Sequence, residues 1–134
     1  MNTERYGIIL NVEKYDECVA FYRDVLELKV MFSKVEGAFK LTCLEFGSGY
    51  LMIETKGFAE PNGKSIKAWP SKLRINVSDM EVALKRVKSF EISAELVESE
   101  WGSTINIYDP DGNRIGIRDE VSFERQINAK QIDA

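Results

Sequence analysis

The sequence contains the same structural pattern twice. GIILNV at residues 7–12 and KLRINV at residues 72–77 share an alternation of apolar residues and end in the same Asn-Val pair. Each is followed by apolar residues at helical spacing, as at Tyr15, Cys18 and Tyr22 in the first copy, and then by three more strand-like stretches. Both halves therefore predict the element order βαβββ.

The repeat also defines the domain organisation. The halves span about residues 5–56 and 71–120, and residues 57–70 form a linker that contains two of the three prolines. Residues 121–134 form a C-terminal tail. A short linker between two half-sheets that are unstable alone predicts one fused domain over residues 1–134.

Composition excludes several classes of function. The formal net charge is −4 and no basic tract is present, which argues against nucleic-acid binding. No apolar run approaches the roughly 20 residues of a membrane span, and the opening residues lack the features of a signal peptide. We therefore expect a cytoplasmic protein without membrane association, in which Cys18 and Cys43 are reduced and buried.

Alternation along the strands assigns their side chains to two faces. One face is apolar and is expected to pack beneath the helices; it carries Ile8, Leu10, Val12, Leu51, Ile53, Leu73, Ile75, Val77, Ile115 and Ile117. The other face carries Gly7, Ile9, Asn11, Tyr50, Met52, Glu54, Lys72, Arg74, Asn76, Arg114, Gly116 and Arg118. This second face is either solvated or a binding surface.

Two turn and cap signals complete the local pattern. In the second half, Ser78 and Glu81 have the spacing of a capping box, which predicts that Ser78 begins the helix. The segment DPDGN at residues 109–113 predicts a type I turn before the last strand.

The two halves, the helix AFYRDVLEL at residues 20–28 and the closing segment WGSTINIYDPDGNRIGI at residues 101–117 together resemble the vicinal oxygen chelate superfamily. That superfamily includes glyoxalase I, extradiol dioxygenases and bleomycin resistance proteins. The resemblance implies an α+β fold in which two βαβββ repeats form a curved mixed sheet. Helices would lie on its convex face and a cavity on its concave face.

The resemblance also implies four strand positions at which metal-dependent members carry a His or a carboxylate. In this chain those positions hold Gly7, Met52, Lys72 and Gly116, and the chain contains no histidine. None of the four is a usual ligand for a divalent ion. We therefore predict no metal and no cofactor, as in the bleomycin resistance branch of the superfamily.

Without a metal, the concave face would suit a small anionic or amphipathic molecule, because arginines pair with carboxylates and apolar groups bury the remainder. Trp101 is either an aromatic platform for the ligand or a packing residue. The predicted ligand-binding residues are Asn11, Tyr50, Met52, Glu54, Lys72, Arg74, Asn76, Trp101, Arg114 and Arg118.

Two classes of function stay open. One is a metal-independent protein of the bleomycin resistance type that binds a small molecule in the cavity of a homodimer. Dimers are expected because a second copy closes exposed sheet edges. The other is a lyase or isomerase that uses side-chain acid and base chemistry, with Glu54, Lys72 and Tyr50 as the candidate catalytic groups. The tail either docks as a helix on the partner subunit or frays.

Overall fold

The structure is a computed structural model that describes the backbone of residues 1–133 and the side chains of residues 1–129. It divides into two compact units. Unit 1 comprises Met1–Gly63 and the loop Asp109–Gly112, and unit 2 comprises Lys64–Tyr108 and the chain from Asn113 onward. Each unit has its own four-stranded mixed sheet with helices, which confirms the α+β class and the two βαβββ repeats.

Unit 1 contains the first repeat. Its elements are β1 (Gly7–Asn11), α1 (Tyr15–Ala20) with a π-helical turn at Phe21–Val25, β2 (Val30–Glu36), β3 (Phe39–Phe46) and β4 (Gly49–Glu54). The strand order is β1-β4-β3-β2. Strand β1 pairs parallel with β4, and the other pairs are antiparallel.

Unit 2 repeats the same topology. Its elements are β5 (Leu73–Val77), α2 (Met80–Ser89), β6 (Leu96–Ser99), β7 (Gly102–Tyr108), β8 (Arg114–Asp119) and α3 (Glu120–Asp133). The strand order is β5-β8-β7-β6, with β5 parallel to β8. The tail therefore forms a helix, while Ala134 lies outside the described residues. None of the helices within residues 1–133 has the length and apolar character needed to cross a bilayer.

The predicted apolar face forms most of the core. Leu10, Val12, Leu51, Ile53, Leu73, Ile115 and Ile117 are buried, and Ile75 and Val77 are half-buried. The prediction is wrong for Ile8, which is 42% exposed. Ile8 lies near the start of β1, which is an edge strand of its sheet, whereas Leu10 and Val12 lie further along the chain, toward the start of α1.

The predicted cap of the second helix is also wrong by one residue. Helix α2 begins at Met80, and Asp79 rather than Ser78 caps it, because the Asp79 carboxylate accepts a hydrogen bond from the Val82 amide at 3.1 Å. Asp and Ser are equally good caps. The sequence therefore offered two adjacent candidates, and the backbone at Asp79 has the extended conformation that a cap requires.

The DPDGN turn holds the start of the first helix. The Gly112 amide donates to the Asp109 carbonyl at 2.9 Å, as the predicted turn requires. Asp111 is fully buried and accepts hydrogen bonds from the backbone amides of Glu13 at 2.7 Å and Lys14 at 2.8 Å. The Tyr22 hydroxyl donates to Asp109 at 2.6 Å. A loop from late in the chain thus satisfies the first amides before α1, which side chains from α1 itself do not cap.

Helix α3 begins at a capped end. The Asp119 carboxylate accepts hydrogen bonds from the amide of Ser122 at 2.6 Å and the amide of Ser103 at 2.8 Å. These bonds favour the charged form and lower the pKa of Asp119 from 3.8 to about 2. The pKa is lower in the folded state than in the unfolded state. The stabilisation is therefore complete above pH 3.8 and is lost as the pH falls through about 2.

We expect Asp119→Asn to lower the free energy of unfolding by about 1 kcal/mol at neutral pH, because one oxygen acceptor and the charge are lost from the cap. The difference from wild type should shrink between pH 3.8 and about 2, where the wild-type carboxylate becomes protonated. Urea unfolding across this pH range measures the effect. A difference that is constant with pH would show that the charge of Asp119 does not stabilise the fold.

Candidate functional site

The polar face of unit 2 is built from three neighbouring strands. Strand register places Arg74 opposite Gly116 and Asn76 opposite Arg118, while Asn106 and Tyr108 of β7 lie opposite Gly116 and Arg114. Paired residues on adjacent strands project to the same side of a sheet. The side chains on this face are therefore those of Arg74, Asn76, Thr104, Asn106, Tyr108, Arg114 and Arg118.

Two cations of this face, Arg74 and Arg114, form a cluster with Lys72, which directly precedes β5. We call these three residues the cationic cluster. A Cβ atom added at Gly116 would lie 3.0 Å from Lys72 Cε and 3.3 Å from Arg74 Cζ. Both side chains therefore lie over Gly116, which has no side chain of its own to keep them away. The space above this glycine is occupied by the ends of two flexible cations.

Lys72 is the most perturbed member of the cluster. Its Nζ donates a hydrogen bond to Asn106 Oδ1 at 2.8 Å. Desolvation lowers the pKa of Lys72, and repulsion from Arg74 and Arg114 lowers it further. Within residues 1–129, whose side chains the structure describes, no carboxylate forms an ion pair with any of the three cations. Like charges thus face one another without a counter-ion from the side chains of residues 1–129.

The Arg114 guanidinium forms hydrogen bonds through one nitrogen, Nη2, but not through another, Nε. Its Nη2 donates to the carbonyl oxygens of Trp69 at 3.3 Å and Ser71 at 3.2 Å. Its Nε is buried and has no hydrogen-bond partner among the described residues. The Arg114 side chain also lines a cavity of 200 Å³. The residues around this cavity are Lys72, Asn106, Ile107, Tyr108, Arg114 and Ile115. Arg114 therefore has a hydrogen-bond donor for which the described residues provide no acceptor, and a small molecule with an acceptor group would be a suitable partner.

Arg118 belongs to a different set of contacts. Its Nη2 donates to the Trp101 carbonyl at 2.7 Å and to Ser122 Oγ at 2.9 Å, and its guanidinium lies 5.1 Å from the Phe123 ring centroid. Gln126 also donates to the Trp101 carbonyl, at 3.1 Å. Arg118 therefore fastens α3 to the turn before β7, although its buried Nε has no hydrogen-bond partner in the described part of the chain.

Two further predicted ligand residues border these contacts. Asn76 donates from its side-chain nitrogen to Glu120 at 2.9 Å, at the start of α3. The Trp101 side chain is 66% exposed. It is therefore not a core residue, and its indole is free of the packing role that the sequence also allowed.

The polar face of unit 1 holds the remaining predicted residues, which are Asn11, Tyr50, Met52 and Glu54. Register places them beside one another on β1 and β4, with Ile9 opposite Met52 and Asn11 opposite Glu54. The Tyr50 ring lies over Gly7, where it fills the space that a side chain at position 7 would need. Asn11 donates to the Thr55 carbonyl at 3.0 Å. Tyr50, Met52 and Glu54 are all half-buried.

The residues present do not fit a catalytic metal of the kind the superfamily uses. The side-chain space at Gly7 is taken by Tyr50, and the space at Gly116 by Lys72 and Arg74. Met52 offers only a thioether, and the Lys72 amine is engaged with Asn106. Among the described residues, no three His, Cys, Asp or Glu side chains are grouped so as to hold an ion. Divalent ions of this kind need such a donor set.

Asn106 and Tyr108 are site residues that the sequence interpretation did not include. Asn106 binds the Lys72 amine, and Tyr108 lines the cavity. Their signal was present in the segment STINIY, where polar residues alternate with the buried Ile105 and Ile107. Assigning the faces of β7 as well as β5 and β8 would have found both.

The comparison with protein families agrees with this fold. The model of the glyoxalase-like domain family matches residues 6–122, which include both repeats. The chain belongs to this family. A comparison of the glyoxalase-like chain with curated protein sequences gave no match.

Several solved structures share the fold of the glyoxalase-like chain. The trypanothione-dependent glyoxalase I of Leishmania major aligns with a TM-score of 0.79 and 19% identity, over 98% of this chain and 97% of its own. The fosfomycin resistance protein FosX of Listeria monocytogenes, solved with Mn(II) and sulfate, aligns with a TM-score of 0.73 and 14% identity, over 94% and 99%. Lactoylglutathione lyase of Agrobacterium tumefaciens aligns with a TM-score of 0.64 and 18% identity, over 90% and 96%. Identities this low show a shared fold.

Proposed function

We propose that the protein is a cytoplasmic, metal-independent member of the glyoxalase-like family that binds a small anionic molecule at the cationic cluster. The observation that carries this proposal is the approach of Lys72 and Arg74 over Gly116, with Arg114 close enough to lower the pKa of Lys72 and no acidic partner among the described side chains. An anion relieves the repulsion that the empty cluster maintains.

Electrostatics favours an anion over a neutral ligand at this face. Each hydrogen bond from a charged donor contributes about 1.5–3 kcal/mol when it is shielded from water. The Arg114 guanidinium lines the cavity and supplies such donors, and its Nε has no hydrogen-bond partner among the described residues. The cavity of 200 Å³ beside Lys72 and Arg114 has room for a small molecule. Carboxylates of a few carbon atoms satisfy both conditions.

Binding of lactate tests the proposal, because lactate is a small carboxylate without a reactive carbonyl. We expect one lactate per subunit in isothermal titration calorimetry, with an affinity that falls as ionic strength rises. Salt dependence is expected because part of the cluster is exposed to solvent. The absence of any binding by lactate, or an affinity indifferent to salt, would count against a charged site.

Metal independence gives a separate prediction. We expect EDTA to leave lactate affinity unchanged, and dialysed protein to hold less than one equivalent of Zn²⁺, Ni²⁺, Fe²⁺ or Mn²⁺, because positions 7, 52, 72 and 116 supply no donor set. Calorimetry with and without EDTA, together with elemental analysis, measures both quantities. One tightly held ion per subunit would contradict metal independence.

An enzymatic role is the second candidate function, and the lowered pKa of Lys72 favours it. A lysine with a lowered pKa has a larger share of the neutral amine, which is the form that acts as a base or nucleophile. Lyase or isomerase chemistry would use Lys72, with Glu54 and Tyr50 as further candidate acids and bases. Turnover separates the two functions, since a binding protein returns its ligand unchanged and an enzyme converts a molar excess.

We further propose a homodimer. All seven residues of the edge strand β2 are exposed, among them Val30, Met31, Phe32 and Val35. An exposed apolar edge promotes association with a second chain. We expect light scattering at micromolar concentration to give about twice the chain mass of 15.3 kDa. A particle of the single-chain mass would rule the dimer out.

A further inference from the structure

Lys72 differs from the other lysines of the described chain in what surrounds its amine. Arg74 of β5 and Arg114 of β8 are the charged neighbours, and Asn106 and Tyr108 of β7 are the neutral ones. Cationic neighbours and partial desolvation both favour the neutral amine over the ammonium. A neutral lysine amine in such surroundings is a nucleophile toward carbonyl carbon.

The Arg74 guanidinium, which can bind a carboxylate, approaches the Lys72 side chain over Gly116. Lys72 Cε and Arg74 Cζ lie 3.0 and 3.3 Å from the same point above Gly116. One small molecule can therefore meet the guanidinium and the amine with adjacent carbon atoms. The hydrogen bond from Lys72 Nζ to Asn106 Oδ1 holds the amine beside the cavity that both residues line.

We infer that the site takes a small 2-oxo acid, whose carboxylate is bound by Arg74 and whose carbonyl carbon forms a reversible imine with Lys72. This inference rests on the proposed anion-binding function and specifies the ligand class. In a 2-oxo acid the carbonyl carbon is bonded directly to the carboxylate carbon. The two groups are therefore close enough to meet Lys72 and Arg74, whose side chains approach each other over Gly116.

The covalent step is balanced without an oxidant or reductant. The neutral Lys72 nitrogen forms a bond to the carbonyl carbon, and the former carbonyl oxygen leaves as water with the two amine hydrogens. A C=O bond is replaced by a C=N bond, and the imine nitrogen takes a proton from solvent. Arg74 is a positioning residue in this step, and the Asn106 amide orients the amine before attack.

Pyruvate and sodium cyanoborohydride test the inference, because the added hydride donor reduces an imine to a stable secondary amine. Intact-mass measurement and peptide mapping then locate the adduct. We expect labelling of Lys72 to be at least tenfold faster than labelling of Lys85, an exposed lysine on α2 of the same unit. Arg74→Met should slow labelling of Lys72 at least tenfold, whereas Lys85→Met should leave it unchanged.

The variant Lys72→Arg separates this inference from the proposed function. It keeps the positive charge and cannot form an imine, so lactate binding should survive while the fast adduct disappears. Labelling of Lys72 no faster than that of Lys85 overturns the inference. If wild type binds lactate in the same preparation, the anion-binding function stands without the imine. If lactate does not bind either, both proposals are wrong.

Discussion

The Asp111→Ala variant is expected to lose about 3–5 kcal/mol of unfolding free energy. Asp111 is fully buried, and its two carboxylate oxygens accept the backbone amides of Glu13 and Lys14. Truncation leaves both amides without an acceptor, at a cost of about 1–3 kcal/mol each, and opens a cavity beside Cys18. Chemical denaturation of the two proteins measures the loss.

Asp79→Ala is the matched control for this effect. Asp79 is another aspartate that accepts a backbone amide, but it is exposed and holds only the Val82 amide at the start of α2. Its removal should cost about 1 kcal/mol. Equal losses for the two variants would mean that burial of Asp111 and its paired bonds add nothing to the stability of unit 1.

Arg74→Met is expected to weaken lactate binding by about 10- to 100-fold, and the double variant with Arg114→Met should abolish measurable binding. Loss of a charge-assisted bond of about 1.5–3 kcal/mol accounts for a change of this size. Removing one cation also relieves repulsion within the cluster. The fold should therefore stay intact or become slightly more stable. Calorimetry with lactate and thermal unfolding together measure both effects.

Arg125→Met provides the control for net charge, since Arg125 is exposed on α3 and is not part of the cationic cluster. Its lactate affinity should match that of wild type within about twofold. If Arg74→Met, Arg114→Met and Arg125→Met all behave alike, lactate responds to the overall charge of the protein and not to the cluster.

The strand periodicity was sufficient to predict both repeats and the polar face of unit 2. Alternation in β5 and β8 placed Arg74, Asn76, Arg114 and Arg118 on one side of the sheet, and the register confirms that placement. This success has a simple cause. Side-chain direction in a strand is a local property with a period of two residues, and sequence records it directly.

The side-chain contacts on the polar faces could not be predicted from the local sequence pattern. A glycine at position 7 leaves space on the face of its own strand, but the Tyr50 ring fills that space from the neighbouring strand. Arg118 lies on the polar face of unit 2 but is not part of the cationic cluster, because its guanidinium donates hydrogen bonds to the Trp101 carbonyl and to Ser122. Each outcome depends on side-chain conformers and long-range packing, which alternation does not encode.

The DPDGN turn gives a second example, in which the local conformation was predictable and the long-range contacts were not. Its hydrogen-bonded turn was predictable from Asp, Pro and Gly at their favoured positions. Its packing against the start of α1 was not, because Asp111 and Glu13 are 98 positions apart in the chain. The turn matters to the fold through these distant amides rather than through its own conformation.

Chemical-shift mapping of lactate binding by NMR tests the central claim most directly. In a titration of the wild-type protein, we predict that the largest shifts fall on the Gly116 amide, the Arg114 Nε–H and the residues flanking Lys72 and Arg74. Shifts that are absent at these positions while other surfaces respond would contradict an anion site at the cationic cluster.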